Sequence, residues 1–337
     1  MNPRYRRLLI PGLLTALVVV VVVAALTDSS EAAVASEATE VSRFLDPDIT
    51  ESSGLAVSPL DPDLVHTVND SGSAPVVFTV RLSTGETVGR TTLDGVAWRD
   101  PEALAVGPDG TLWVADTGDN LAARDDTALY VLPEPAGGDD RVTPTVFPVS
   151  FAGGPRDVEA LLVDPTGGPV HLVTKGLLGG EVFRLPADLT PGATHRAEPV
   201  GVAMPGLVTD AAFHPDGERL VVRTYGSALL YDRDFVRLGA VELPFQEQGE
   251  TIAVEATGTY LVGSEGTGSA LTRVPAIAPE ADDARSGDAP RVGAADGATV
   301  DAPEDTDGVD PSVVIGVLAA LGVILVGLLV VRGRRRP

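Results

Sequence analysis

The stretch Glu102–Asn120 reads EALAVGPDGTLWVADTGDN, and its pattern is that of a β-hairpin. Apolar residues flank the sequence Pro108-Asp109-Gly110 on both sides, and a polar cluster follows the second apolar segment. Proline presets φ for a turn, and glycine accepts the positive φ that follows. The stretch therefore predicts two short strands joined by a tight turn.

The same hairpin pattern recurs along the chain. Its copies are Ser53–Leu60, Glu102–Thr111, Glu159–Gly168, Thr209–Glu218 and Glu250–Thr259. The turn prolines Pro59, Pro108, Pro165 and Pro215 are 49, 57 and 50 residues apart, and Ala256 follows 41 residues later. Repeats of about 40–50 residues with four short antiparallel strands are typical of propeller blades. The sequence predicts an all-β fold, a β-propeller of five four-stranded blades, with six blades as the alternative if the longest interval holds another.

Further strand candidates follow the hairpins. They are Ala128–Leu132 and Thr143–Phe151 after the second copy, and Ala228–Tyr231 and Val236–Leu243 after the fourth. After the fifth copy only Leu271–Val274 precedes a polar tail. Glu40–Leu45 has no other partner, so we predict that it completes the last blade and closes the ring. Helical periodicity is nearly absent from this region, which disfavours a doubly wound α/β fold.

The two ends of the chain have the composition of membrane segments. Residues 1–35 combine a basic start with an apolar run, which predicts a signal peptide or, without cleavage, an N-terminal signal anchor. Residues 312–331 carry no charge and residues 332–337 hold four arginines, which predicts a transmembrane helix with a cytoplasmic basic tail. Residues 38–276 then form an extracytoplasmic propeller, and residues 277–311 form a disordered acidic linker rich in Ala, Pro, Gly and Asp. The predicted location is the plasma membrane, single-pass, or two-pass if the N-terminal helix is retained.

The charge and the cysteine content exclude several classes of function. The chain has 48 acidic and 24 basic residues, a net charge of −24. Such a field repels nucleic acid and favours cations, although part of it serves solubility. Cysteine is absent, which removes thiol catalysis and cysteine-based metal sites. We expect no nucleic-acid partner.

The candidate site follows from the hairpin geometry. In an antiparallel hairpin the start of the first strand lies beside the end of the second, so these ends meet around one rim of the channel. The predicted ligand-binding rim comprises Glu51, Asn69, Asp70, Glu102, Asp116, Asp119, Asn120, Glu159, Lys175, Arg223, Glu250 and Glu265. Asp100 and Asp157 precede two of the strand starts by two residues, on the same strand side. Lys175 either holds an anionic ligand or pairs with a nearby acid.

A metal is a candidate ligand of this rim. Crowded carboxylates raise one another's pKa or recruit a cation, and Ca²⁺ takes several carboxylate and carbonyl oxygens. The predicted metal ligands are Glu102, Asp116 and Asp119, because the densest oxygen cluster lies at residues 116–120 and Glu102 lies against it. The alternative is that these acids are solvated or paired with arginine. No cofactor other than Ca²⁺ is indicated.

The segment Glu102–Asn120 resembles the NHL, regucalcin/gluconolactonase and TolB-like propeller superfamily. Glu51–Ala56, Asn69–Gly72, Glu159–Leu161 and Gln248–Ala253 more closely resemble exported actinobacterial propellers and are similar to esterase-like phytase domains. The resemblance covers about residues 40–275. It implies a channel metal that activates water against a lactone or phosphoester, with ligands among Glu102, Asp116, Asp119, Glu159 and Asn69. Those families usually have six blades, and the phosphate pocket of a phytase is reduced here to Lys175 and Arg223.

Two functions follow as hypotheses. The first is a non-catalytic binding or scaffolding module that presents its acidic rim to a cell-surface protein or a small molecule. The alternative is a metal-dependent hydrolase, lactonase-like or phosphoesterase-like, with its site at the channel mouth. No nucleophile–base pair is recognisable in the sequence, so catalytic residues remain unassigned and the first hypothesis is favoured. A structural envelope protein without a ligand is the third possibility.

Overall fold

The computed structural model describes residues 38–70 and 72–279, and every regular element in these ranges is a β-strand. Their bounds, in chain order, are β1 Thr39–Arg43, β2 Ser52–Val57, β3 Leu64–Asn69, β4 Val76–Arg81, β5 Thr87–Leu93, β6 Pro101–Val106, β7 Thr111–Asp116, β8 Ala128–Pro133, β9 Gly138–Val142, β10 Thr145–Phe151, β11 Val158–Leu162, β12 His171–Thr174, β13 Gly180–Arg184, β14 His195–Met204, β15 Val208–Phe213, β16 Arg219–Thr224, β17 Ser227–Asp232, β18 Arg237–Glu242, β19 Gly249–Val254, β20 Tyr260–Ser264 and β21 Ala270–Val274.

The strands pair into antiparallel groups of four. These are β2-β3-β4-β5, β6-β7-β8-β10, β11-β12-β13-β14, β15-β16-β17-β18 and β19-β20-β21-β1. Two parallel pairings extend the groups: β9 runs beside β5, and β10 runs beside β14. β2, β6, β11, β15 and β19 each stand at one end of a group and pair with a single strand.

The groups form a closed cycle. The first strands contact one another in the order β2, β6, β11, β15, β19 and back to β2. An apolar core fills each space between successive groups, so both faces of every group are buried. One core joins Leu55 and Val65, near the start of the cycle, to Ala253 and Leu261, near its end. The described residues therefore have the architecture of an all-β propeller, in which sheets pack face to face around a central channel.

The strand directions define two sides of the molecule. The first strands begin, and the second strands end, on what we call the rim side. The turns at Pro59, Pro108, Pro165, Pro215 and Ala256 lie on the opposite side, which we call the turn side. The predicted hairpins are confirmed in all copies. The predicted partner of Glu40–Leu45 is also confirmed, because β1 pairs with β21.

The long interval between the second and third turns holds β9, which the sequence did not predict. Its residues Gly138–Val142 are almost all polar or small, and it adds to the outer edge of β5 rather than starting another hairpin. Gly89 of β5 allows this approach, since a Cβ there would lie 2.5 Å from the carbonyl oxygen of Gly138. The interval between the second and third turns therefore does not form a separate four-stranded group.

The predicted signal segment at residues 1–35, the transmembrane helix at 312–331 and the basic tail at 332–337 lie outside the described residues, as does all but the start of the linker at 277–311. Within residues 38–70 and 72–279, no helix is long and apolar enough to cross a membrane.

Candidate functional site

Each first strand carries a β-bulge at its rim end. The residues that the bulges leave without a cross-strand partner are Ser53, Glu102, Glu159, Thr209 and Glu250, and we call them the bulged ring. All five are buried, with exposed fractions between 1% and 6%. Bulges re-aim side chains and are over-represented beside functional sites. The fold thus applies the same backbone distortion at every strand that begins at the channel mouth.

Three carboxylates converge at this mouth. Oxygen atoms of Asp70, Asp100 and Glu102 all lie within 4.8 Å of one another, and we call these residues the acidic trio. Ser53, the neighbouring member of the bulged ring, donates a hydrogen bond from Oγ to Oε2 of Glu102 at 2.7 Å. Asp70 follows the end of β3, Glu102 is the bulged residue of β6, and Asp100 precedes β6. The trio is therefore built where two adjacent groups meet.

The acidic trio favours bound protons or a bound cation. Burial raises the pKa of Asp100 to about 7, and a hydrogen bond with Asp70 and the charge of Asp70 act in the same direction. Burial also raises the pKa of Glu102 well above its usual range, and the charges of Glu159 and Asp70 add to this. Carboxylates this close cannot all stay ionised without compensation. Asp100 and Glu102 therefore favour their protonated forms near neutral pH unless a cation neutralises their charge.

A second acidic centre surrounds Lys175. Its Nζ lies 3.0 Å from Oε2 of Glu159 and 5.6 Å from the centre of the Tyr225 ring. Burial raises the pKa of Glu159 to about 8, against the opposing effect of Lys175, and burial also raises the pKa of Glu250. Oε1 of Glu159 is buried without a hydrogen-bond partner among the described residues. Lys175 is therefore a counter-ion to a buried acid, one of the two roles predicted for it.

The structure places the predicted metal ligands in two different environments. Asp116 accepts hydrogen bonds from the backbone N–H of Asp100 and from Arg124, both at 2.9 Å. Asp119 accepts one from the backbone N–H of Arg124 at 2.8 Å. These two acids hold the loop after β7 in place, and only Glu102 of the predicted set belongs to the trio. Arg124 is the reason, because it folds back onto the acids that precede it.

The two predicted amide side chains, Asn69 and Asn120, have different surroundings. Asn69 accepts hydrogen bonds from the N–H groups of Thr50 and Glu51 and donates one to the carbonyl of Asp48, so it fixes the loop before β2. Asn120 is exposed in the loop after β7.

Of the remaining predicted residues, Arg223 and Glu265 lie on the part of the rim formed by β16, β19 and β20, and Glu51 directly precedes β2. Arg223 is fully buried and donates to the carbonyl oxygen of Gly263 at 2.9 Å, while burial lowers its pKa to about 10. It braces the structure and is not available to an anion. Glu265 is half-buried, and burial together with the charges of Glu250 and Asp70 raises its pKa to about 7. Glu51 is exposed at the same mouth.

Four contributors were absent from the predicted rim set. Asp100 and Asp157 precede bulged residues by two positions, a spacing visible in the sequence. Ser53 begins the first hairpin, at the position that glutamate occupies in three other copies. The pairing of Arg124 has no sequence signal, because it depends on how the 117–127 loop folds.

The histidines lie elsewhere. His66 contacts Thr79, His195 contacts Thr190, and His214 contacts Tyr260, each through a ring nitrogen. His171 packs edge-on against the ring of Phe235. None of these contacts involves the bulged ring or the acidic trio. The chemistry that the described rim can offer is therefore that of carboxyl groups, either as shared-proton acids or as oxygen ligands.

Comparisons with known proteins find two distantly similar solved structures. No protein-family model and no curated protein sequence matches the chain. A solved structure of the nidogen/laminin complex is similar at a TM-score of 0.42 and 15% identity, over 66% of this chain and 74% of that one. A gluconolactonase from Xanthomonas campestris is similar at a TM-score of 0.40 and 15% identity, over 74% of this chain and 93% of that one. Likeness this distant carries no information about function.

Proposed function

We propose that the chain is a membrane-anchored, extracytoplasmic five-bladed propeller that binds a protein partner on its rim side. One observation carries the proposal. Ten large hydrophobic side chains are exposed among the described residues, and seven of them lie in rim-side loops around the acidic mouth. The seven are Leu45, Leu121, Leu177, Leu178, Leu207, Tyr225 and Phe245. Exposed apolar clusters rimmed by polar groups mark interaction surfaces.

Five of these residues, which we call the apolar crescent, follow one another along the rim from the third group to the fifth. They are Leu177, Leu178, Leu207, Tyr225 and Phe245. The loops that carry them are linked: the N–H of Leu207 donates to the carbonyl of Gly176 at 2.8 Å, and Lys175 lies over the ring of Tyr225. Leu178 and Phe245 are the most exposed, at 91% and 94%.

Backbone strain supports a functional role for these loops. Leu207 adopts a φ of 60° and Ala122, beside Leu121, a φ of 47°. Non-glycine residues in this region cost free energy and persist where the surroundings enforce them, often at binding sites. The fold thus holds two apolar loops in costly conformations that keep leucines exposed.

The charge of the mouth selects the partner. The acidic trio, Asp157 and Glu265 lie around the channel entrance, and the nearby Lys175 is already paired with Glu159. A suitable partner segment would place an arginine or lysine at the acidic mouth and apolar side chains against the apolar crescent. Ca²⁺ bound by the trio would compete with such a cation, so we propose that the ion modulates this site.

Both ends of the described chain lie away from the proposed binding surface, because β1 begins, and β21 ends, on the turn side. We also propose that residues 312–331 anchor the chain in the plasma membrane, as the sequence predicts.

The test uses immobilised peptides and the full chain. The probe is a peptide with one lysine between two leucines. One control peptide has glutamate in place of the lysine, and a second has serine in place of both leucines. Leu178→Asp is expected to weaken binding of the lysine peptide by about tenfold or more, as a substitution at the centre of an interface does. Leu60→Asp is the matched control, since Leu60 is 79% exposed on the turn side. Equal binding of the glutamate peptide, or equal losses in the two variants, would refute the proposal.

A second candidate is a metal-dependent hydrolase with its site at the channel mouth, acting on a lactone or phosphoester. The observation that favours it is the acidic trio, whose ligand atoms lie within 4.8 Å of one another. Incubation of the full chain with lactones and phosphoesters in Ca²⁺, Mg²⁺, Mn²⁺ or Zn²⁺ tests it. Turnover that disappears in Asp100→Asn would support this function, and no turnover with any ion would reject it.

A further inference from the structure

The turn side of the channel holds a cavity of about 470 Å³. All the first strands line it with residues near their ends, together with the turns that follow. The residues two positions before each turn are Val57, Val106, Val163, Phe213 and Val254, and they form an apolar ring in its wall. A volume of this size is within the range of small-molecule sites. The same apolar position of each hairpin therefore lines the mouth of the cavity on every side of the channel.

The lining is uncharged. Among the described residues around this cavity there is no Asp, Glu, Lys, Arg or His, and Ser58 carries the only side-chain hydroxyl. Its Oγ accepts hydrogen bonds from the N–H groups of Leu60 and Asp61, both at 3.2 Å. The hydroxyl of Ser58 is thus already used within the protein. A charged ligand would lose its hydration here without a compensating side chain.

Hydrogen-bonding groups in this cavity come from the backbone. Each first strand pairs on one edge only, so its other edge presents N–H and C=O groups toward the channel. The turns add few donors, because proline has no N–H and four of the five turns begin with proline. The wall is thus aliphatic, with a limited number of neutral polar groups and a mouth that the turns make rigid.

We propose that this cavity binds an uncharged ligand with an aliphatic body and a single hydroxyl or amide group. The aliphatic part packs against the apolar ring, and the polar group pairs with a free strand edge. This site is separate from the rim: it lies at the opposite end of the channel and takes the opposite chemistry. It does not depend on the proposed protein-binding function.

The test is photo-labelling of the full chain with an octanol that carries a diazirine. Labelled peptides are expected to contain Val106 or Phe213, with labelling that saturates and is displaced by plain octanol. The matching octanoate probe is expected to label at least about tenfold less, because its carboxylate has no cationic partner in the cavity. Equal labelling by both probes, or labelling mainly outside the cavity, would overturn the proposal.

Two variants assign the label to the cavity. Ala105→Phe places a ring in the cavity wall and is expected to lower labelling about tenfold, since it occupies the binding volume. Val236→Phe, at a position 46% exposed and outside the cavity, is the control and leaves labelling unchanged. If Ala105→Phe does not fold, Ala212→Phe fills the wall on another strand. Labelling that stays unchanged in a folded cavity variant would contradict the proposal, whereas Leu178→Asp on the rim leaves it intact.

Discussion

The acidic trio makes a prediction about the pH dependence of stability. Replacing Asp100 by Asn keeps the size and hydrogen-bonding capacity of the side chain but removes its charge. The pKa of Asp100 is about 7 in the folded protein, against 3.8 for an ordinary aspartate. Between these values the folded state holds a proton that the unfolded state has lost. Stability is therefore fully present at low pH and declines as the pH rises from about 4 to about 7.

The size of the effect follows from the same two values. A difference between 3.8 and about 7 corresponds to about 4 kcal/mol at full strength. Asp100 is only half-buried, so solvent screening reduces the effect to about 2 kcal/mol. We expect Asp100→Asn to raise the free energy of unfolding by about 2 kcal/mol at pH 8 and by less than half as much at pH 5, where the folded state holds the Asp100 proton but the unfolded state has already lost it.

Urea denaturation of the full chain at both pH values measures this, with a chelator present so that no divalent cation neutralises the trio. Asp139→Asn is the matched control, because Asp139 is exposed on β9. The control is expected to change stability by less than about 0.5 kcal/mol at either pH. A variant no more stable than wild type at pH 8, or equally stabilised at pH 5, would show that the trio is not under electrostatic strain.

Two further substitutions and one deletion test the rest of the architecture by the same denaturation assay. Lys175→Met leaves the buried Glu159 without its cation and is expected to cost about 3 kcal/mol at pH 9, with a much smaller loss at pH 5, where Glu159 is protonated. Equal losses at both pH values would contradict this. Gly54→Ala is expected to cost about 1–3 kcal/mol, because its Cβ would lie 2.8 Å from a backbone nitrogen of the adjacent first strand, whereas Gly226→Ala, with open space, is near neutral. A similar cost at both positions would refute the packing argument. Deleting the chain through β1 unpairs β21 and is expected to lower the melting temperature by about 10 °C or more, since several kcal/mol of burial are lost; an unchanged melting temperature would mean that β1 does not hold the cycle closed.

The hairpins could be predicted because their signals are local. Pro108-Asp109-Gly110 specifies a turn whatever the rest of the chain does, and the repetition of that turn locates the first two strands of each group. The odd strand Glu40–Leu45 could be assigned to Leu271–Val274 because each lacked another partner. These inferences needed only residue types and spacing.

The details of the site could not be predicted in the same way. A bulge is a change of hydrogen-bond register, and neither Glu102 nor Glu159 differs in type from a glutamate in a regular strand. Asp116 was predicted as a metal ligand because its neighbours are rich in oxygen, but the return of Arg124 turns it into an ion-pair partner. Loop conformation, which the sequence pattern does not encode, decides such cases.

The apolar ring of the cavity is an intermediate case. Its members stand two residues before every turn, as Val57 and Phe213 illustrate, and this regularity is visible in the sequence. In a strand with two buried faces, however, an apolar residue at any position is expected of the core. Only the structure shows that these positions border an open volume.

The pairing of β1 with β21 has a consequence for the order of folding. Thr39 and Arg273 are cross-strand partners although most of the described chain lies between them. Contacts of such sequence separation form late, since the closure of a long loop costs entropy before any contact compensates it. During synthesis, which starts at the N-terminus, β1 lacks its partner strand until β21 has been made. We therefore expect the last step of folding to be slow, and the open cycle that precedes it to be the species most exposed to proteases and to strand exchange with a second copy.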